Sequence, residues 1–87
     1  MPLNIDYAND AKKYLASLDA PTRKRVEEKV RDVAADYLDP KNSKPLTSSE
    51  KRSARVGKYR ILFLIIKESN VLFVAEIASR GEIYRNT

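Results

Sequence analysis

The residues with most capacity for chemistry in this chain are cationic or aromatic. Lys51, Arg52, Arg55, Arg60, Arg80, Tyr84 and Arg85 all fall in its second half. The 87-residue sequence has no histidine and no cysteine. It therefore lacks the commonest general base, any thiol nucleophile, and the usual zinc ligands. No cofactor and no metal are expected. What such a set can do is phosphate chemistry. Arginine presents rigid, paired donors that match phosphate oxygens. It can also stabilise charge that builds on a phosphoryl oxygen during cleavage. A tyrosine can stack on a base or transfer a proton.

Each of these residues also has a plainer reading. Lys51 and Arg52 adjoin a loop, where solvation alone accounts for them. Arg55 alternates with Ala54 and Val56, so it shares the outward face with Ser53. Arg60 is the sharper case, because it interrupts an apolar run where an unpaired charge is costly. Arg80 precedes Gly81, which suits either a close ligand approach or an ordinary turn. Tyr84 can equally pack its ring on a sheet. Glu76 is the one carboxylate inside an apolar strand, and a cross-sheet pair with Arg60 or Arg80 is its simplest role. Arg23-Lys24-Arg25 reads as a solvated helix face or a phosphate contact.

The elements that must position these groups follow from the apolar spacing. Leu3, Ile5 and Tyr7 alternate with Asn4 and Asp6, the pattern of a short strand. Asn9 to Leu18 puts Ala11, Leu15 and Leu18 on one helical face, and Asn9 or Asp10 is the expected cap. Asp19-Ala20-Pro21 interrupts that pattern and starts a second helix, since proline is tolerated in a first turn. This helix is expected over Pro21 to Leu38, with Val26, Val30, Val33, Ala34, Tyr37 and Leu38 as its apolar stripe. The two helices form an antiparallel hairpin.

From Asp39-Pro40 to Glu50 the chain reads as a loop anchored by Leu46. Three strand-like segments follow: Arg52–Val56, Tyr59–Ile66 and Val71–Ala78. Gly57-Lys58 and Lys67-Glu68-Ser69-Asn70 supply the turns. The runs ILFLII and VLFVAEIA are apolar on both faces, which implies that both faces are covered. Two helices cover only one. The other must close on itself or be buried by something outside the chain. The predicted class is α+β: an N-terminal strand, a two-helix antiparallel hairpin, then a three- to four-stranded, mainly antiparallel sheet. Residues 1–87 are expected to form a single domain.

Bulk composition sets the limits. The chain is 43% hydrophobic and 33% charged, with two glycines and four prolines, too apolar to be disordered. A net charge of +5 and a pI of about 9.6 favour an acidic partner such as nucleic acid. No signal peptide is read at the start. The longest apolar run, Ile61 to Ile66, is far short of the ~20 residues of a membrane helix. With no cysteine, a cytoplasmic location is expected.

The segment Ser53-Ala54-Arg55-Val56-Gly57-Lys58-Tyr59-Arg60-Ile61-Leu62-Phe63 resembles the R-x-G-x-Y-R-x-x-[YF] signature of the RelE/ParE superfamily of type II toxin–antitoxin systems. Lys44-Pro45-Leu46 resembles its K-x-L loop. Ile77-Ala78-Ser79-Arg80 with Tyr84 resembles its closing strand and tail. The resemblance spans nearly the whole chain and is nearer the RelE branch. It implies a ribosome-dependent endoribonuclease, an mRNA interferase that cuts message in the ribosomal A site and inhibits translation. The ribose 2′-hydroxyl attacks the adjacent phosphate, without metal, and leaves a 2′,3′-cyclic phosphate.

Carried over by position, Arg60 stabilises the scissile phosphate. Arg80 binds phosphate or assists the leaving group. Tyr84 stacks or transfers a proton, and Arg55 with Lys51, Arg52 and Arg85 binds RNA. The implied partners are a cognate antitoxin, the ribosome and mRNA, with operator DNA reached through the antitoxin and no membrane. One departure stands out: several active members carry a basic residue where this chain has Ser53, and Lys51 or Arg52 is the candidate substitute. A ParE-like DNA gyrase inhibitor and an inactive antitoxin-binding homologue are the alternatives.

Overall fold

The computed structural model describes residues 2–46 and 50–79. Strand β1 (Asn4–Tyr7) runs directly into helix α1 (Asn9–Ser17), and α2 (Ala20–Ala35) follows. Then come β2 (Lys44–Pro45), β3 (Arg52–Val56), β4 (Tyr59–Ile66) and β5 (Val71–Ser79). All five strands join one sheet in the order β1-β5-β4-β3-β2. Only the β1–β5 pair is parallel. The expected α+β class and helical hairpin are therefore present, and the N-terminal strand belongs to the same sheet. The segment read as a loop from residue 40 to 50 also contributes the short strand β2, an edge that Pro45 keeps brief because proline cannot extend a ladder.

The helix boundaries differ from the sequence reading in two instructive ways. Asn9 and Asp10 lie inside α1, and its cap position is Ala8, with no side-chain cap bond. Ala8 N–H still donates to the Val74 carbonyl at 2.9 Å, so the β1 ladder continues to the residue where the helix begins, and that cap position is an alanine with no side-chain acceptor. Helix α2 ends at Ala35 instead of Leu38. The Asn42 side-chain amide donates to the carbonyls of Asp36 at 2.8 Å and Asp32 at 3.4 Å. The loop thus satisfies carbonyls that another helical turn would have used. Leu38 leaves the stripe and is 67% exposed.

At its other end α2 starts where the sequence places it, at Asp19-Ala20-Pro21. Asp19 accepts from Thr22 N–H at 3.1 Å, with proline in the first turn. Hydrogen bonding from the Thr22 side chain first and its backbone N–H second holds the Asp19 carboxyl below the ordinary aspartate range. A depressed carboxyl stabilises the fold above its unfolded pKa, and that contribution is lost as pH falls through the folded value. Asp19→Ala is therefore expected to melt below the wild type at neutral pH and to converge with it in acid. Asp19→Asn, also a good cap, should melt close to the wild type at neutral pH. Thermal melts from neutral pH into acid check both.

One face of the sheet carries the core. Val26, Val30 and Val33 of α2 and Ala11 and Leu15 of α1 are buried against Ala54, Ile61, Phe63, Leu72, Val74 and Ile77. Along β5 the buried side switches parity. Leu62 pairs with Glu76 but Phe63 pairs with Val74, so Ala75 is an extra residue in the ladder. Such a bulge lets Leu72 and Val74 point inward on even positions and Ile77 on an odd one. Two turns close the meander. Gly57 has φ +55° at the first of two residues between Val56 and Tyr59, as a type II′ hairpin requires. Asn70 takes the left-handed conformation at φ 55°, ψ 47°. Among the described residues no helix is long and apolar enough to cross a membrane.

Candidate functional site

Two of the sequence-derived candidates meet on the sheet face away from the helices. Arg55 of β3 and Arg60 of β4 are direct cross-strand partners. Paired residues of neighbouring strands project to the same side with Cβ atoms about 4.5–5.5 Å apart. The flanking pairs Ala54–Ile61 and Val56–Tyr59 project to the helix side, where Ala54 and Ile61 are buried. Next to Arg60 on β5 stands the small, buried Ala78. Glu76 is exposed and pairs with Leu62, which puts it on the same face as Arg60, one pair further along.

Arg55 and Arg60 together line two hollows. One, of about 260 Å³, reaches toward β2 and the preceding loop. The other, of about 300 Å³, is completed by Gly57, Lys58 and Tyr59. The arginine pair is thus the ridge between two depressions at the end of the sheet that carries the Gly57 turn.

Arg52 is placed elsewhere, and the expectation that it holds RNA beside Arg55 needs correction on geometry. It pairs with the buried Phe63 and so projects to the helix side. Its Nε donates to Ser43 Oγ at 3.1 Å and its Nη2 to the Tyr37 carbonyl at 3.1 Å. The guanidinium carbon lies 5.4 Å from the Tyr37 ring centroid, within cation–π range. Arg52 fastens the segment after α2 to the sheet. Lys51 precedes β3 and is half-buried, and its carbonyl accepts from Leu46 N–H at 3.0 Å. Arg80, Tyr84 and Arg85 lie outside the described residues.

The residue across from Ser53 is Lys44 of β2. It shares the face of Arg55 and Arg60, so a basic group stands beside Ser53 on the neighbouring strand. Sequence reading placed Lys44 in a loop, because a two-residue strand has no alternation to detect.

Tyr14 was also passed over. Its hydroxyl accepts from Ser79 N–H at 3.1 Å, and its ring meets Tyr59 edge-on with centroids 6.4 Å apart. It thereby ties α1 to the start of β4 and the end of β5, the two strand ends beside Arg60. A tyrosine on an apolar helical face was the available signal, since its hydroxyl seeks a partner when covered. Tyr14→Phe is expected to lower stability by roughly 1 kcal/mol, the usual net value of one hydrogen bond. It should also speed amide exchange at Ser79, measured by hydrogen exchange. Away from this surface, burial first and nearby Glu27 second raise the Tyr7 phenol above its ordinary pKa, while Arg31 acts in the opposite sense.

Comparison with known proteins places this geometry. Residues 5–84 match the family described as ParE toxin of type II toxin-antitoxin system, parDE. The fold is that of RelE. The toxin–antitoxin complex RelBE2 from Mycobacterium tuberculosis superposes with a TM-score of 0.80 at 25% identity, covering 93% of this chain and 94% of that one. The intact RelBE toxin–antitoxin complex of E. coli gives 0.76 at 20% identity, covering 88% and 95%. A YoeB/ParE toxin from Agrobacterium tumefaciens gives 0.74 at 12% identity, covering 88% and 98%. No curated relative matches the chain. The fold and the matched family together define a toxin of the RelE/ParE superfamily, and within it the chain belongs to the ParE toxin family of type II toxin–antitoxin systems.

Proposed function

We propose that this toxin is a metal-independent endoribonuclease that cuts mRNA on the ribosome. The observation that carries the reading is the Arg55–Arg60 pair. Two guanidinium groups on one sheet face offer paired donors that match the oxygens of an anion such as phosphate. A scissile phosphodiester is such an anion, and it becomes more negative at its non-bridging oxygens as it is attacked. In this reading the ribose 2′-hydroxyl gives up its proton and its oxygen forms a bond to phosphorus as the bond to the 5′-oxygen breaks. The products are a 2′,3′-cyclic phosphate and a 5′-hydroxyl that takes up a proton. Arg60 stabilises the pentacoordinate phosphorus, and Arg55 grips the backbone. Arg80 and Tyr84 are proposed to complete the site, with leaving-group assistance and proton transfer or stacking as their roles.

An antitoxin partner belongs to the same reading. RelE of E. coli and RelBE2 of M. tuberculosis are each described in complex with an antitoxin. On this chain Leu62, Leu64, Val71 and Phe73 lie on the face away from the core and are only half-buried, and Ile66 is 37% exposed. That apolar strip suits a protein ligand.

A specific observation favours a second reading, gyrase inhibition without RNA chemistry: the matched family is named for ParE. Expression of the chain followed by mapping of mRNA 5′ ends separates the two. New ends inside translated codons support the nuclease. Intact message with DNA-damage signalling overturns it and supports gyrase inhibition. Growth that continues with intact message and no damage signal points to an inactive antitoxin-binding homologue.

A further inference from the structure

Five cationic side chains converge on one hollow. The 260 Å³ hollow beside the arginine pair is lined by Lys29, Lys41, Lys44, Arg55 and Arg60, with no carboxylate in its lining among the described residues. Like charges around a concave surface focus potential there.

The hollow is also built before any ligand arrives. Lys29 Nζ donates to the Lys41 carbonyl at 3.1 Å. Lys41 N–H donates to Asp39 Oδ1 at 3.0 Å, and the Asn42 amide caps the end of α2. Ser43 Oγ donates to the Tyr37 carbonyl at 2.6 Å and is held in turn by Arg52. These bonds fix the loop wall, so little ordering entropy is lost on binding. On the other side, β2 pairs only with Arg52 and Ser53, and β3 from Ala54 onward is left without a strand on that edge among the described residues. One turn before Lys29 on α2, Arg25 stands beside the Gly57 turn, its Nη2 3.7 Å from the Cβ position of that glycine. Arg25 and Lys29, spaced four apart, face the same way.

We infer that this hollow is a second phosphate subsite, holding a backbone phosphate of a polynucleotide that passes from the arginine pair around the β3 edge toward α2. The inference rests on the polynucleotide reading above and adds where the strand goes. The volume falls short of the roughly 300–1,000 Å³ of drug-sized pockets, which suits a phosphodiester group and not an enclosed molecule. Pro40 and Ala54 are the apolar lining residues, too little to anchor a protein segment. The apolar strip that does suit a protein lies along Leu62, Leu64 and Phe73.

The test uses the full chain and a 2′-O-methyl RNA oligonucleotide, which cannot be cleaved, with affinity followed by fluorescence anisotropy against salt. The probing variant is Lys41→Gln/Lys44→Gln, both exposed side chains. Lys12→Gln/Lys13→Gln on α1 makes the same charge change outside the hollow. The slope of log affinity against log salt is expected to shrink by about 0.7 in the first variant, the share of the one single-strand phosphate that the subsite neutralises. The second variant is expected to keep the wild-type slope. Lys29→Gln, with melting temperature as its fold check, should lower the slope by no more than that same share. Equal slopes in wild type and Lys41→Gln/Lys44→Gln would overturn the subsite. So would an equal fall in the α1 control, which would mean only net charge is felt. So would a wild-type chain that does not bind the probe. The mRNA-end mapping stands apart from all of these, so the nuclease reading can survive the loss of the subsite.

Discussion

Replacing Arg60 by alanine is expected to end growth arrest and mRNA cleavage while the chain stays folded. Removing one group that stabilises transition-state charge commonly costs about 10²–10³ in rate. The loss should fall on the chemical step, visible as kcat in single-turnover cleavage on programmed ribosomes. Arg60→Lys keeps the charge but not the fork of donors, so it should recover only part of the activity. Arg52→Ala provides the contrast. That guanidinium holds Ser43 and Tyr37, so its loss should lower the melting temperature, and activity should fall only as far as folding does. If Arg60→Ala cleaves like the wild type, the arginine pair does not bear on the phosphate and the placement of the site at Arg60 fails.

The contrast between Arg52 and Arg55 marks what the sequence made legible and what it did not. Alternation through Arg52-Ser53-Ala54-Arg55-Val56 was sufficient to place Arg55 outward with Ser53. It also implied that Arg52 faces inward with Ala54. A basic residue next to a loop nevertheless reads as solvated. Only the tertiary structure brings the Tyr37 carbonyl and Ser43 to it from the far side of α2. The same long-range pairing hid Lys44, which becomes part of the site because β2 lies beside Ser53.

The fold was more legible than the site because its signals are local. The valines at 26, 30 and 33, the Asp19 cap and the Gly57 and Asn70 turns each announce themselves within a few residues. The end of α2 did not, because Asn42 intercepts its carbonyls from six residues beyond Asp36. Strand β5 misled in a more interesting way. VLFVAEIA reads as apolar on both faces because the bulge at Ala75 reverses parity midway. Its inward residues Leu72, Val74 and Ile77 do not share one period. Part of the apparent two-faced hydrophobicity is therefore a single core face read across a dislocation. The remainder, at Val71 and Phe73, belongs to the apolar strip.

That dislocation gives Phe63 its weight. It is the largest of the fully buried side chains, 1% exposed, and its strand partners are Arg52 and Val74, the first pair past the bulge. Around it Val30, Val33, Ala54, Ile61 and Leu72 close on a gap with no room for a water molecule, so little can move in to fill the space of a missing ring. Phe63→Ala is expected to cost about 3–5 kcal/mol, from lost transfer energy and a residual cavity. A domain of this length has a total stability of roughly 4–13 kcal/mol at the usual 0.05–0.15 per residue. At the lower half of that range the loss brings the variant near its unfolding midpoint at growth temperature. Denaturant unfolding with guanidinium measures the loss directly, and Phe63→Leu should retain the fold with a smaller one. Both Phe63→Ala and Arg60→Ala should lose toxicity in cells, for opposite reasons: the first through the disappearance of folded protein, the second with folded protein at its normal level. A Phe63→Ala chain as stable as the wild type would mean that the sheet can repack across the Ala75 bulge. The Arg55–Arg60 register would then be less firmly held than the packing around Phe63 implies.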